Sequence, residues 1–339
     1  MSEEITTLNE RFQPDGSNAD MAQNHMTLKQ QLRKYNQVFM LFAIIVIAVI
    51  MTKGVFLRPS NLMVLAAGAS IFGLLSLGQG LVVISGGFDL SVGSLIAVAF
   101  SMISTVNAEL GLIPACLSAV IVTTFLGFIN GALVAHTRIP PFIVTLGMLS
   151  IAKSLSWIFM ADQLIIMVKG LKNSVSPLFA WLPMGVNVFP ILVLGIGAIL
   201  MGVLLHRTSL GRYIYAIGDN EDAAIASGIP VKKTKMFVYS VSGFLCGIGA
   251  IVFLYRNISA SPGAGNEFLL QTFAATMIGG VYMYGGEGTI FGILVGIFSL
   301  ASITSVLTVA GVPPVAHKAV LGVIVLSVVL LQRWLQEES

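Results

Sequence analysis

Long apolar runs separated by short polar breaks occupy most of the chain and constrain its fold more than any other feature. Each run is about 20 residues long, the length that an α-helix needs to cross the hydrocarbon core of a bilayer. The ten runs cover approximately residues 36–52, 61–84, 92–108, 111–135, 142–160, 187–205, 236–256, 267–283, 289–310 and 316–332. This pattern predicts an all-α, polytopic membrane helical bundle of about ten transmembrane helices.

The composition excludes a soluble protein. Of the 339 residues, 56% are hydrophobic and 10% are charged, whereas a soluble domain has about 45–50% apolar and about 25% charged residues. The net charge of +3 is too small to indicate nucleic-acid binding. Cys116 and Cys246 both lie inside apolar runs, so neither a disulfide framework nor a metal site is predicted.

The positions of Lys and Arg predict how the bundle is oriented, because cytoplasmic loops carry an excess of these residues. With the N-terminus inside, eleven of the 18 basic residues fall on the cytoplasmic side. We therefore expect both termini to be cytoplasmic. The predicted regions are a flexible polar cytoplasmic tail over residues 1–35, a transmembrane domain over residues 36–333, and a short cytoplasmic tail over residues 334–339.

A polar break between the second and third apolar runs, residues 84–94, contains one acid among glycines and serines. Ionisable residues at membrane depth usually face the interior of a bundle or a water-filled cavity. Two roles for Asp89 are open: it could cap the next helix, or it could line a polar path. The candidate residues of this break are Gly87, Asp89, Ser91 and Gly93.

The stretch 206–235 is the longest predicted cytoplasmic loop and holds eight of the 33 charged residues. Asn220 suits a helix N-cap, Glu221 and Asp222 suit the first turn, and Gly228 followed by Pro230 suits a helix end. A helix of two turns is predicted over residues 219–229. Because so short a helix is marginal by itself, it must pack on its own bundle or dock into a partner.

Other polar residues occur singly. Within apolar runs, Gln79, Asn130, Thr145 and Gln271 could line a pathway for a polar solute or form hydrogen bonds that hold helices together. A second Gly-rich break, residues 277–288, contains Glu287 and is predicted to be a cytoplasmic turn. The Gly243/Gly247 and Gly292/Gly296 pairs are spaced for close helix packing within the bundle.

Four motifs resemble the permease subunits of bacterial monosaccharide ABC importers, of the ribose, xylose, arabinose and galactoside type. The motifs are Gly86-Gly-Phe-Asp-Leu-Ser-Val-Gly93, residues 137–147, the loop 208–230, and the glycine pairs 279–280 and 285–286. They occur in the same order as in that family, and the resemblance extends over residues 36–333.

The resemblance implies a machine with several subunits in the bacterial inner membrane. A second permease copy or a paralogue, ABC ATPase subunits and a periplasmic sugar-binding protein would be the partners, and ATP–Mg would bind to the ATPase and not to this chain. The outer-side residues Arg256 and Lys318 are predicted to contact the binding protein. The ATPase-coupling residues would be Gly218, Asp219, Asn220, Glu221, Ala223, Ala224 and Gly228.

Two other classes of membrane protein are alternatives to an ABC permease. An ion-gradient-driven secondary transporter of a small polar solute would use Asp89, Glu287 or Arg256 as its coupling group. An intramembrane enzyme would need a polar catalytic cluster, and the ionisable residues are scattered. The sequence contains no Walker A, HExxH or GxSxG pattern, so we predict that the chain is not an enzyme and that it binds no cofactor itself.

Overall fold

The computed structural model describes residues 28–160, 166–167, 169–179 and 187–337, which are mostly helical. Two short strands, β1 (Ile166–Met167) and β2 (Ser259–Ala260), pair antiparallel. The all-α fold class is confirmed. In chain order the helices are α1 (Leu28–Met51), α2 (Pro59–Ile84), α3 (Val92–Leu110), α4 (Leu112–His136), α5 (Pro141–Phe159), α6 (Lys169–Phe179), α7 (Val188–Arg207), α8 (Ser209–Asp219), α9 (Glu221–Ala226), α10 (Val231–Asn257), α11 (Asn266–Ile278), α12 (Ile290–Val309) and α13 (Pro314–Glu337).

Seven helices of the described ranges are long and apolar enough to cross a bilayer, namely α2, α3, α4, α5, α7, α10 and α12. The apolar parts of α1 and α13 are shorter. The run predicted over 267–283 forms only the 13-residue helix α11, which ends before Gly279. That helix is about 20 Å long, less than the roughly 30 Å hydrocarbon core. A polytopic membrane bundle is therefore supported, while ten crossings and cytoplasmic termini stay predictions.

The ends and the long loop differ in detail from the sequence prediction. Residues 1–27 lie outside the described ranges, and α1 begins at Leu28, within the region predicted to be a tail. The stretch 206–235 is largely helical, because α8 precedes the predicted short helix. The Thr208 side chain caps α8 by accepting a hydrogen bond from Gly211 N at 3.2 Å, and Ile214 and Ile217 bury its apolar face.

Helix α2 is the central element of the bundle. It packs against α7, α10, α11 and α12, and its second half is buried on every side. A helix that is apolar all round is typical of such a central position. The side chains of Leu74, Leu75, Leu77 and Leu81 have at most 1% exposure and lie in the main core.

Glycines allow the closest helix contacts. Gly243 and Gly247 of α10 pack on the α4 backbone near Thr123 and Val120, where a Cβ atom would overlap the neighbouring helix. Gly292 and Gly296 of α12 similarly pack on the end of α11. Small residues let membrane helices approach closely, and the prediction of packing within the bundle is confirmed for both pairs.

Candidate functional site

The break between α2 and α3 forms a buried polar site around Asp89. Its side chain has no solvent exposure. The Oδ1 atom accepts hydrogen bonds from Ser91 N at 2.8 Å and Ser91 Oγ at 2.6 Å, and Oδ2 accepts one from Ser242 Oγ at 3.3 Å. Neither ion pair of the described residues involves Asp89. Three donors therefore offset the cost of burying this carboxyl group.

The hypothesis that Asp89 caps the following helix is wrong at the level of atoms. Its bonds go to Ser91, which is itself the residue before the first turn of α3, and not to the amides of that turn. Ser91 occupies the N-cap position but makes no side-chain capping bond. Asp89 instead closes a hydrogen-bonded turn with Ser91 inside the break, and it links the break to Ser242 of α10.

Two further helices, α4 and α5, and a second residue of α10 contact the same break. Asn130 of α4 donates from Nδ2 to Ser91 Oγ at 2.9 Å. Thr145 of α5 donates to Phe88 O at 3.3 Å, and the Tyr239 hydroxyl of α10 donates to the same oxygen at 3.2 Å. The structure thus brings together Asp89, Ser91, Asn130 and Thr145, which the sequence had only identified separately. We call the group Asp89, Ser91, Asn130, Thr145, Tyr239 and Ser242 the Asp89 network.

Sequence reasoning missed Ser242 and Tyr239. Both lie within the apolar run of α10 and are buried. A serine inside a helix commonly bonds the carbonyl one turn earlier, so its position in the sequence does not indicate an interhelical role. In the sequence, Tyr239 is a single phenol among apolar residues. Its hydrogen-bond acceptor is a backbone carbonyl 151 residues away.

Four of the predicted pathway residues are not members of the Asp89 network. Gly87 leaves room for Tyr239, whose Oη would be 2.7 Å from a Cβ atom there. Gly93 packs against Gly265 O. Gln79 lies in the interior of α2, where it is buried with no partner for either amide atom among the described residues. Gln271 lines a cavity, described below.

The predicted short helix is present as α9. Asn220 Oδ1 accepts from Ala223 N at 2.9 Å, as expected of an N-cap. Gly228 follows the helix with a φ of 76°, which is typical of a helix end. Lys235 Nζ donates to Glu221 Oε2 at 2.6 Å and ties the start of α9 to α10.

Helix α9 exposes one face and buries the other. Ala224 is 4% exposed and packs with Ile217 and Val231. The prediction that Ala224 enters a partner's groove is therefore wrong, because that side chain anchors α9 to its own bundle. Ala223 is exposed, and so is Ile225 with 57% exposure, a surface residue that sequence reasoning did not select.

The end of α8 meets both glycine-rich breaks in what we call the glycine junction, formed by Gly86, Gly218, Gly285 and Gly286. A Cβ atom on Gly218 would overlap Ile84 O and Gly286 N. Gly286 N donates to Ile84 O at 2.9 Å. Since Gly86 and Gly285 have φ values of 74° and 95°, the close approach needs glycine conformations as well as small size.

Tyr215 provides a second link between α8 and the later break, because its hydroxyl donates to Gly288 O at 2.7 Å. Burial raises the pKa of the Tyr215 phenol above its ordinary value, so the group keeps its proton and acts as a donor. The two glycine-rich breaks, residues 84–94 and 277–288, are similar in sequence, but the sequence did not indicate that they are in contact. The structure shows that they pack together next to Gly218.

The opposite end of α2 borders a cavity of about 420 Å³, and a second cavity of about 280 Å³ adjoins the first. Gln271 and Thr304 line both of them. Arg256 lines the larger cavity and donates to Val64 O at 3.3 Å. Lys318 lines the smaller one and pairs with Glu267 at 2.9 Å, and both of these side chains are more than half exposed.

Comparisons with known proteins agree with this architecture. Residues 61–329 match the family described as branched-chain amino acid transport system / permease component. The ribose import permease of Escherichia coli (strain K12) is 33% identical over 85% of this chain and 90% of its own length. No solved structure matches the chain.

Two further relatives carry the names of other sugars. The fructose import permease of Rhizobium meliloti is 30% identical over 84% of this chain and 81% of its own length. The D-allose transport system permease of Escherichia coli (strain K12) is 31% identical, with coverage of 88% and 91%. The chain therefore belongs, together with these sugar permeases, to the branched-chain amino acid transport system / permease component family of ABC importer permeases.

Proposed function

We propose that this chain is the membrane-spanning permease subunit of an ATP-driven, binding-protein-dependent importer that moves a monosaccharide, a pentose or a hexose, across the bacterial inner membrane. The observation that carries the proposal is the coupling segment 218–228. It presents an exposed face on α9 while its base contacts both interior breaks through the glycine junction. A displacement of α9 would therefore be transmitted through these contacts to the break that contains Asp89.

The exposed face of α9 suits docking to a partner. Glu221, Asp222, Ala223 and Ile225 are exposed, whereas the buried Ala224 holds the helix on its own bundle. We assign this face to the ABC ATPase subunit, which binds ATP–Mg. Asp219 and Asn220 are exposed at the same place and complete the surface. Closure of two ATPase subunits would then act on two copies of this chain, or on this chain and a paralogue.

The substrate class follows from the relatives and fits the polar interior. The similar proteins are permeases for ribose, fructose and D-allose. The interior offers hydroxyl, amide and carboxyl groups in the Asp89 network, and such groups pair well with sugar hydroxyls. We expect the periplasmic binding protein to select the sugar, because tight binding inside the permease would slow release.

The opposite end of the bundle would face the periplasm and receive the binding protein. Lys318 and Glu267 are exposed there as an ion pair, and Lys318 is a contact candidate on this ground. Arg256 is partly buried and lines the larger cavity. Its proposed contact with the binding protein is thus less direct than that of Lys318.

Deletion of residues 219–229 tests the coupling proposal. We expect the deletion to abolish sugar uptake and substrate-stimulated ATP hydrolysis while the protein still inserts into the membrane. A sharper variant is Ile225→Asp, which changes an exposed side chain and should not disturb the fold. Ser227→Ala, a change on the same exposed segment, serves as the matched control.

Normal uptake by the deletion variant would overturn the proposal. A secondary transporter would instead lose uptake when the ion gradient is collapsed and retain it when the ATPase is absent. Its three candidate coupling groups lie apart in the structure. Glu287 is exposed in a turn, Arg256 lines the far cavity, and Asp89 is buried without an ion-pair partner among the described residues.

A further inference from the structure

The turn that connects α11 to α12, residues 279–289, lies next to the start of the coupling helix α9. Its residues Gly285 and Gly286 belong to the glycine junction. A Cβ atom on Gly286 would be 3.1 Å from Asp219 Cα. Asp219 directly precedes Asn220, the N-cap of α9. The turn and the coupling helix are therefore neighbours in space, although they are far apart in the chain.

Backbone hydrogen bonds hold this turn in one shape. Tyr282 N donates to Glu287 O at 3.0 Å, and Gly285 N donates to Tyr282 O at 3.0 Å. Two further bonds, to the end of α2 and from the Tyr215 hydroxyl of α8, fix the turn on the bundle. Because the backbone is already ordered, binding of a partner to this turn would cost little conformational entropy.

The turn exposes an aromatic side chain. Tyr284 is 71% exposed, whereas the backbone of the adjacent Gly285 is buried in the glycine junction. The Tyr284 ring lies against the ring of Tyr282, with the two centroids 5.4 Å apart. Tyrosine is enriched among the residues that contribute most to protein–protein binding, because its ring buries a large area and its hydroxyl finds a polar partner.

The charges around the turn favour a protein partner over lipid headgroups. The exposed charged residues of the turn and of the start of α9 are all acidic, namely Asp219, Glu221, Asp222 and Glu287. Lys235 pairs with Glu221, and the other three form no ion pair among the described residues. The cytoplasmic leaflet of a membrane has a negative surface potential, which repels such a surface. A protein surface with basic side chains would complement it.

We propose that Tyr284 and Glu287 form a second docking surface for the ABC ATPase subunit, continuous with the exposed face of α9. This inference rests on the proposed function. The ATPase subunit contributes a pocket for the Tyr284 ring and a basic side chain that faces Glu287. Movement of that subunit then acts on the glycine junction from two sides, through α8 and through the turn.

Tyr284→Ala tests the aromatic contact. The purified permease in detergent is titrated with the purified ATPase subunit of the same transporter, and the dissociation constant is measured. We expect Tyr284→Ala to weaken binding by about tenfold, as for a residue central to an interface. Tyr284→Phe keeps the ring and is the matched control, with binding close to that of the wild type.

The use of detergent separates the two possible partners of the ring. A tyrosine that only anchored the chain among lipid headgroups would contribute nothing to ATPase binding once the bilayer is removed. Equal dissociation constants for Tyr284→Ala and the wild type would therefore overturn the aromatic contact.

Glu287→Lys tests the charged contact. We expect this change to weaken ATPase binding by about fivefold at low ionic strength and by less at high ionic strength, because exposed charges are screened by salt. Glu109→Lys is the matched control. Glu109 is exposed at the far end of α3, so the same change of charge occurs away from the proposed surface. An equal effect of both variants would overturn the charged contact.

The thermal midpoint of each permease variant, measured without the ATPase, should equal that of the wild type, because both altered side chains are exposed. A lowered midpoint for Tyr284→Ala would show that the ring serves the turn itself and would overturn its docking role. Loss of binding by Ile225→Asp, with full binding by Tyr284→Ala and Glu287→Lys, would overturn the second surface alone. Failure of the proposed function looks different, because the wild-type permease would then bind no ATPase subunit.

Discussion

Asp89 illustrates how one residue can join separate parts of a membrane bundle. Its carboxyl group accepts hydrogen bonds from its own break and from Ser242, 153 residues away. Ser91 in turn accepts from Asn130. Since hydrogen bonds to buried groups are costly to leave unmade, the position of this break depends on α4 and α10 as well as on its own sequence.

Asp89→Asn should impair transport more than Asn130→Ala does. All three hydrogen-bonding partners of Asp89 act as donors, and an amide nitrogen cannot accept from any of them. Ser242 would have to reverse its bond or lose it. We expect uptake to fall about tenfold for Asp89→Asn and by no more than about threefold for Asn130→Ala, which removes a single neutral bond. Sugar uptake is measured at equal membrane abundance.

The same uptake by both variants would show that Asp89 is not the dominant group of the network. At this scale the sequence identified Asp89, Ser91, Asn130 and Thr145 as candidates, and all four side chains are buried. It did not indicate that they meet. A polar side chain on a helix can also bond its own backbone, so only the rotation of each helix about its axis decides which residues face one another.

At the scale of elements, the short helix α9 and the two glycine-rich breaks form one assembly. Helix α9 docks through Ala224, and α8 reaches the breaks through Gly218 and Tyr215. The cap residues Asn220 and Gly228 were predictable because capping is a local interaction. The burial of Ala224 was not predictable, because it depends on contacts with Ile217 and Val231.

Gly218→Ala should disrupt the contact between the end of α8 and the two glycine-rich breaks. The added methyl group would overlap Ile84 O and Gly286 N, which are backbone atoms and cannot move aside as a side chain can. We expect the glycine junction to open, with a destabilisation of about 1–3 kcal/mol and a loss of most sugar-stimulated ATP hydrolysis. Thermal stability and ATPase activity of the assembled transporter measure the two effects.

Gly202→Ala provides the matched control. Gly202 lies in α7, and a Cβ atom there would meet no atom within 4 Å. This change should be neutral, or stabilising by up to about 1 kcal/mol because alanine favours helix. If Gly218→Ala behaved in the same way as Gly202→Ala, the junction would not transmit force.

At the scale of the whole molecule, the chain has a buried centre and an apolar surface. The central helix α2 is largely buried, while α4, α5 and α7 expose many large apolar side chains, Ile113, Ile121, Phe125, Ile158 and Ile199 among them. Such a surface is suited to lipid or to another apolar subunit and not to water. Polar side chains are concentrated inside the bundle, at the cavities and at its two ends.

The orientation of the bundle can be tested with single cysteines in a background that lacks Cys116 and Cys246. Asp222→Cys on α9 should react with an impermeant thiol reagent in inverted vesicles and not in intact spheroplasts. Asn173→Cys on α6 should react in spheroplasts. Both side chains are exposed. Labelling of both cysteines from one side would contradict the predicted orientation with cytoplasmic termini.

The sequence by itself determined the lipid environment, the family and the capped helix of the coupling segment. The lipid environment depends on composition and on runs of about 20 residues, the capped helix depends on interactions within one turn, and the family depends on four motifs that resemble known permeases. The tertiary structure decided that Asp89 joins α4, α5 and α10, that Ala224 faces inward, and that the two breaks meet at Gly218. Each of these contacts joins residues far apart in the chain, and each depends on how helices rotate and pack against one another, which a local pattern does not specify.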